Sequence, residues 1–160
     1  MNMLPRKEFL KSIARKRIGG GVVFLNRKNQ ILLVKASYKD NWLLPGGIVD
    51  KNESPKEAAA REAQEEIGIK VRKLKLVSVF WGIDKEYDDD YLTFDFYGGV
   101  IKKEEDVKID GDEIIDFRFV SINKLEKFVS PGTKTRIDVS LANCDFASTI
   151  YNEAKLKSTK

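Results

Sequence analysis

The stretch Gly47–Ile69, GIVDKNESPKEAAAREAQEEIGI, decides how this chain is read. Glu53 follows Gly47 after five residues, Arg61-Glu62 follows after seven more, and Glu65-Glu66 and Gly68-Ile69 complete the run. It is entered through Leu44-Pro45-Gly46-Gly47, which reads as a tight turn. Ser54-Pro55-Lys56-Glu57 combines a capping serine, a proline at the first helical position and a reciprocal glutamate, so a helix starts here. Gly68 supplies its stop. On that helix Ala59, Ala63 and Ile67 form an apolar stripe, while Glu62, Glu65 and Glu66 recur at i, i+3 and i+4 on another face. Like charges at that spacing repel by a few tenths of a kcal/mol per pair in water, and by more when desolvated. A hard cation relieves the repulsion, because magnesium takes carboxylate oxygens together with waters and phosphates. Clustered carboxylates beside one arginine therefore point to divalent metal and phosphate.

The same spacing resembles the Nudix hydrolase signature, G-x5-E-x7-R-E-U-x-E-E-x-G-U with U aliphatic, and every fixed position is met. The resemblance runs from about Arg17 to Val129, with the Gly47–Ile69 box its most specific part. It implies an α/β (α+β) fold in which a mixed sheet lies between helices. It also implies a Mg2+-dependent hydrolase, with Mn2+ able to substitute, that cleaves the diphosphate linkage of a nucleoside diphosphate derivative. X-P-O-P would become X-P plus phosphate or pyrophosphate, as in the clearing of modified nucleotides. Glu62, Glu65 and Glu66 fall on the family's metal-ligating positions, the Gly46 carbonyl is a further ligand, and Glu66 or Glu62 is alternatively the base. Glu53 and Arg61 match positions that brace the site, since an arginine paired with a carboxylate fixes a glutamate's orientation. A glutamate outside the box often joins them. Glu113, in Asp110-Gly111-Asp112-Glu113, is the choice for base or ligand, with Asp112 its rival. Gly47 is read as permitting a turn that a Cβ would strain.

Bulk properties narrow the chemistry independently. With 160 residues, 42% hydrophobic and 34% charged, the chain suits one soluble globular domain. No apolar run reaches the length of a bilayer crossing and no secretion signal is visible, which leaves the cytoplasm as the expected compartment. The absence of histidine removes Ser-His-Asp and Cys-His catalysis and the usual zinc ligands, and the lone Cys144 cannot form an intrachain disulfide. The net charge of +4 gathers at Arg6–Arg17 and Lys155–Lys160, a diffuse pattern that suits solubility better than nucleic-acid binding. The expected division is an N-terminal helical extension (1–16), the catalytic domain (17–145) and a basic tail (146–160), as a monomer or homodimer without membrane contact.

Strands are expected at Arg17–Asn26, Ile31–Ala36, Val71–Ile83, Tyr91–Ile101 and Ile114–Val120. In the fourth, Leu92, Phe94 and Phe96 alternate with Thr93, Asp95 and Tyr97, as in a half-buried strand. A short amphipathic helix is expected over 5–15. Ser121 is read as the cap of a helix ending at Val129, Pro131-Gly132 as its breaker, and a last helix as starting near Thr135.

Specificity is less visible. Tyr38, Trp42, Trp81, Tyr87 and Tyr97 lie where they could stack on a base, although aromatics at strand spacing more often fill a core. Arg17, Lys35 and Lys39 could reach phosphates. Tyr87, 18 residues past the box, stands close to a tyrosine of dinucleoside polyphosphate hydrolases, while the proline of many ADP-ribose hydrolases is replaced by Lys85. Two other functions fit the resemblance: a catalytically silent nucleotide-binding regulator, and removal of an RNA cap or 5′ diphosphate. Silent members typically lose box glutamates, and this chain keeps them all.

Overall fold

Along Arg17–Asn26 (β1) the side chains of Val22 and Phe24 enter one core while Val23, between them, enters another. Period-two alternation thus puts apolar residues on both faces, and a strand of this kind belongs at the centre of a sheet. The computed structural model, which describes residues 5–84 and 88–144, places it there. The other strands are β2 (Gln30–Ala36), β3 (Gly46–Ile48), β4 (Lys75–Asp84), β5 (Asp89–Ile101) and β6 (Ile114–Ser121). They form a six-stranded mixed sheet in the order β4-β5-β1-β2-β6, with β3 paired to β1 off that path. β1 runs parallel to β5 over its whole length, and antiparallel to β3 at Gly19–Gly21 and to β2 at Leu25.

Helices cover both faces, as expected. On one side α2 (Pro55–Ile67) lays Ala59, Ala63 and Ile67 against Val22, Phe24, Leu32, Val34 and Phe96. Burying Ile67 alone contributes roughly 2–3 kcal/mol. The small residues of α2 allow a close approach, since a Cβ on Gly20 would overlap the Pro55 carbonyl and the Ala59 backbone. On the other side α3 (Pro131–Ala142) inserts Ile137 among Val23, Ile31, Leu33 and Leu125.

Several local expectations are corrected. Leu44–Gly47 is no simple turn, because Gly46–Ile48 extends as β3 and pairs with β1. The strand expected from Val71 begins at Lys75. Ser121 caps nothing, and the helix after it is a 3₁₀ turn over Ile122–Lys127. Pro131 begins α3 instead of breaking a helix: Ser130 accepts the Thr133 amide at 3.2 Å, and proline fits the first turn, where its missing N–H costs nothing. In β5 the polar residues do not face water. Thr93 and Asp95 are buried beneath the α3 layer, and Arg136 from α3 meets Asp95. The N-terminal helix α1 (Arg6–Ser12) buries no residue and leaves Phe9 and Leu10 exposed. The basic tail at 146–160 lies outside the described residues.

Candidate active site

The α2 capping box orients everything that follows. Ser54 Oγ accepts the Glu57 amide, and the Glu57 carboxylate accepts the Ser54 amide at 3.0 Å, which sets the first turn. Two turns on, Arg61 is a hub. Its Nε donates to Glu53 Oε1 (2.9 Å), Nη2 to Glu53 Oε2 (3.1 Å) and to the Ile48 carbonyl (3.2 Å), and Nη1 to Glu62 (2.8 Å) and Glu65 (3.0 Å). Glu53 also accepts the Asp50 amide at 2.9 Å, so the loop before the helix is tied to the helix itself. Its bidentate arginine lowers the Glu53 pKa, and Glu53 in turn raises that of Arg61.

Glu66 is the buried member of the acidic face, 7% exposed, with Oε2 accepting the Gly46 amide at 2.8 Å. Burial, opposed by the Gly46 hydrogen bond and reinforced by Glu62, Glu113 and Asp110, pushes its pKa up to about 8. Glu62 is raised too, again first by desolvation and despite Arg61. The two glycines of β3 serve different ends, Gly46 the close pairing with β1 and Gly47 the space for Glu62. Gly46 adopts φ +147°, where a Cβ is strained. Gly47 has no positive φ, and its lack of a Cβ serves the Glu62 carboxylate, which would overlap one. The turn-strain reading of Gly47 is thereby replaced by one of space.

Glu113 reaches the same face from the loop before β6. Asp110 Oδ1 accepts the amides of Asp112 (2.8 Å), Glu113 (3.0 Å) and Ile114 (3.0 Å), and the Glu113 carbonyl accepts the Ser37 amide at 2.9 Å. These bonds lower the Asp110 pKa and fix the loop. Tyr38 donates its hydroxyl to Glu113 Oε1 at 3.1 Å, and its own pKa is raised by burial, by that bond and by the surrounding glutamates.

Among the described residues no three carboxylates are yet drawn together round one ion position, because Arg61 holds Glu62 and Glu65. The donor set still fits a hard divalent cation. It consists of carboxylate oxygens, one of them buried, with two of the groups raised in pKa by crowding and desolvation that a cation would relieve.

Beside this face a cavity of about 200 Å³ opens along β1 and β3, lined by Arg17, Gly19, Gly21, Gly47, Tyr91, Thr93 and Arg136 among others. Gly47 therefore borders both the cavity and the Glu62 carboxylate. Among the described residues expected to bind substrate, only Arg17 lines it, held by Asp84 (2.9 Å) and Asp89 (2.6 Å). Trp42 instead packs edge-on against Phe128, with the Arg118 guanidinium 5.0 Å from its ring centroid. Trp81 is exposed on β4 and donates to Asp90 at 2.9 Å. Lys39 is exposed, with its carbonyl accepting the Lys35 ammonium. Tyr87 lies outside the described residues. Tyr91, Thr93 and Arg136 escaped the sequence reading. The register of β1 against β5, which sets Arg17 beside Tyr91 and Gly19 beside Thr93, brings the first two to the cavity, and the packing of α3 over the sheet brings Arg136.

A mixed sheet lies between helices, with an acidic helix face beside a cleft. The NUDIX domain family matches residues 15–139, and the chain belongs to that family; it is a pyrophosphohydrolase acting on phosphoanhydrides. It is 36% identical over 120 residues to a protein of Bacillus subtilis (strain 168) named "Putative 8-oxo-dGTP diphosphatase", covering 75% of this chain and 76% of that one. It is 40% identical over 62 residues to "Diphosphoinositol polyphosphate phosphohydrolase 2" of Rattus norvegicus, a match of 38% of this chain to 35% of that one. Among solved structures, the MutT protein from Methanosarcina mazei Go1 superposes with a TM-score of 0.70 at 24% identity, covering 82% of this chain and 98% of the other, a likeness of fold alone.

Proposed function

We propose that this protein hydrolyses the diphosphate linkage of a nucleoside diphosphate derivative with Mg2+ as its metal. The observation that carries this reading is the buried Glu66 and the half-buried Glu62 of α2 within electrostatic reach of Glu113 from the loop before β6, next to a cavity that can take the rest of the substrate. The name of the Bacillus subtilis relative, "Putative 8-oxo-dGTP diphosphatase", supports the same substrate class.

Glu62, Glu65 and Glu66, with the Gly46 carbonyl, would hold the metal. When bound, such an ion neutralises charge on phosphoryl oxygens and lowers the pKa of water. The chain's own residues do the rest. Arg61 and Glu53 position the acidic face, and Arg61 must loosen its hold on Glu62 and Glu65 for an ion to enter between them. Glu113, oriented by the Tyr38 hydroxyl, accepts at a carboxylate oxygen the proton of the water that attacks phosphorus. The new P–O bond forms as the bridging P–O bond breaks, and the departing phosphate carries away the electron pair.

A panel of nucleoside di- and triphosphates, dinucleoside polyphosphates and nucleoside diphosphate sugars, incubated with Mg2+ and with both products resolved, tests this reading. One class should be cleaved, and Glu65→Gln and Glu66→Gln should each slow it on the order of a thousandfold while leaving the fold intact. Glu113→Gln should lower kcat far more than it raises KM. Full turnover in excess chelator, or near-normal turnover by both box variants, would contradict it.

A further inference from the structure

β4 is the last strand on its side of the sheet, and among the described residues no strand pairs with its outer edge. Edge strands normally carry a lysine, a proline or an inward charge that stops a second chain from adding to them. From Leu76 to Ile83 this one carries neither charge nor proline. A bulge breaks its register between Leu76 and Ser78, and the Val77 carbonyl there accepts the Asn143 side-chain amide at 3.1 Å from the end of α3. The edge is therefore closed at Val77 and open from Ser78 to Asp84, where the strand ends. Its face on the α2 side is apolar. α2 packs on β1, β3 and β5, and on the next strand out Val79, Trp81 and Ile83 stay 51%, 55% and 60% exposed in one row. The Trp81 indole N–H donates to Asp90 Oδ2 at 2.9 Å, the oxygen that also takes the Lys16 ammonium, so what the ring still exposes is apolar.

What fits such a stretch follows from its own symmetry. The middle of Ser78–Asp84 is Trp81. A two-fold axis through that residue, normal to the sheet, sets two copies antiparallel and keeps their apolar rows on the same face. Trp81 then stands opposite Trp81 of the second copy, Val79 opposite its Ile83, Phe80 opposite its Gly82, and Ser78 opposite its Asp84. Each member of the exposed row meets another apolar residue. The one carboxylate, already paired with Arg17, meets a neutral serine, and no like charges face each other. A different protein would have to supply this match, whereas a second copy carries it already. The area sets the strength: three half-exposed side chains give a few hundred Å² per copy, below the roughly 800 Å² per partner of a standard interface. Backbone hydrogen bonds along the added strand make up part of the difference.

We propose that the Ser78–Asp84 edge of β4 is the interface of a weak homodimer, in which two copies pair antiparallel across Trp81 and their sheets become one continuous sheet. No residue of the acidic face takes part, so the interface stands or falls apart from the proposed hydrolysis.

Sedimentation velocity of the full chain, from about 1 to about 300 µM, should show a monomer–dimer equilibrium with a dissociation constant on the order of 10–100 µM. Trp81→Lys sets two ammonium groups against each other on the axis, and should stay monomeric throughout that range with an unchanged thermal melt. If that variant does not fold, Val79→Lys, at a half-exposed position of the same row, takes its place. The register is read by mixing Val79→Cys and Ile83→Cys copies, both also carrying Cys144→Ser. Mild oxidation should link the two kinds to each other and neither kind to itself. A chain that is monomeric at the top of the range would overturn the proposal, and that is the result if residues 145–160 of the same chain, or nothing, cover the edge. A dimer that persists in the folded lysine variant, or disulfides joining two Val79→Cys copies, would overturn it as well.

Discussion

Glu66 places a carboxyl group where little water reaches it, and this makes the protein's stability sensitive to pH in an unusual direction. Unfolded, the group ionises near 4.5; folded, it keeps its proton up to about 8. Between those values the unfolded chain has released a proton that the native chain retains, so stability falls as pH rises through the window. Metal-free protein should therefore melt at progressively lower temperature from about pH 5 to pH 8. Glu66→Gln should flatten that slope, and a divalent cation should restore the loss at the alkaline end. Thermal melts in chelator across the range are the check, and a flat profile for the unsubstituted chain would contradict the assignment. The identity of the group was legible, because the i, i+3, i+4 recurrence puts Glu62, Glu65 and Glu66 on one face whatever the surroundings. Its burial was not, since that depends on Gly46 approaching from a strand 20 residues away. Arg136 was invisible for the same reason. Nothing in its neighbours marks a cavity residue until α3 is laid over β5.

At the level of elements, local chemistry was readable and tertiary choice was not. Ser54, Pro55, Glu57 and Gly68 announce α2 by stereochemical rules internal to the segment, and the helix starts and stops where they say. Ser54→Ala removes one side of the capping box and should cost about 1 kcal/mol in a denaturant titration, with kcat at saturating metal little changed. A loss within error would mean that tertiary packing alone holds the helix start. Pro131-Gly132 shows the opposite case: proline is as common at a beginning as after an end, and only Ser130 bonding Thr133 decides between them. The alternation in β5 likewise misled. Thr93 and Asp95 imitate a wet face, yet α3 brings an arginine to meet them, and the sheet is covered on both sides.

For the molecule as a whole, the question is which parts carry the fold. α1 buries nothing, while Lys16, just after it, pairs with Asp90 and Arg17 begins the central strand. A chain starting at Ala14 should keep its unfolding free energy within about 0.5 kcal/mol and become more soluble, as Phe9, Leu10 and Ile13 leave the surface. A loss of about 2 kcal/mol or more in a denaturant titration would show that the helix is docked in solution. Among the described residues no helix is long and apolar enough to cross a membrane.

Gly20 lies between the two layers, where the helix backbone rests almost directly on the strand. Its neighbours Gly19 and Gly21 turn the opposite way, into the cavity. One strand is thus a party wall of fixed thickness, with the acidic helix on one side and the pocket on the other. A methyl group at position 20 would have to lift α2 by a distance on the order of an ångström to regain van der Waals contact. That would carry the carboxylates away from a pocket that stays where it is. On the proposed reading, the two ends of the cleft are marks on a ruler cut in the backbone, and substrate length would be set by it before any functional group is met.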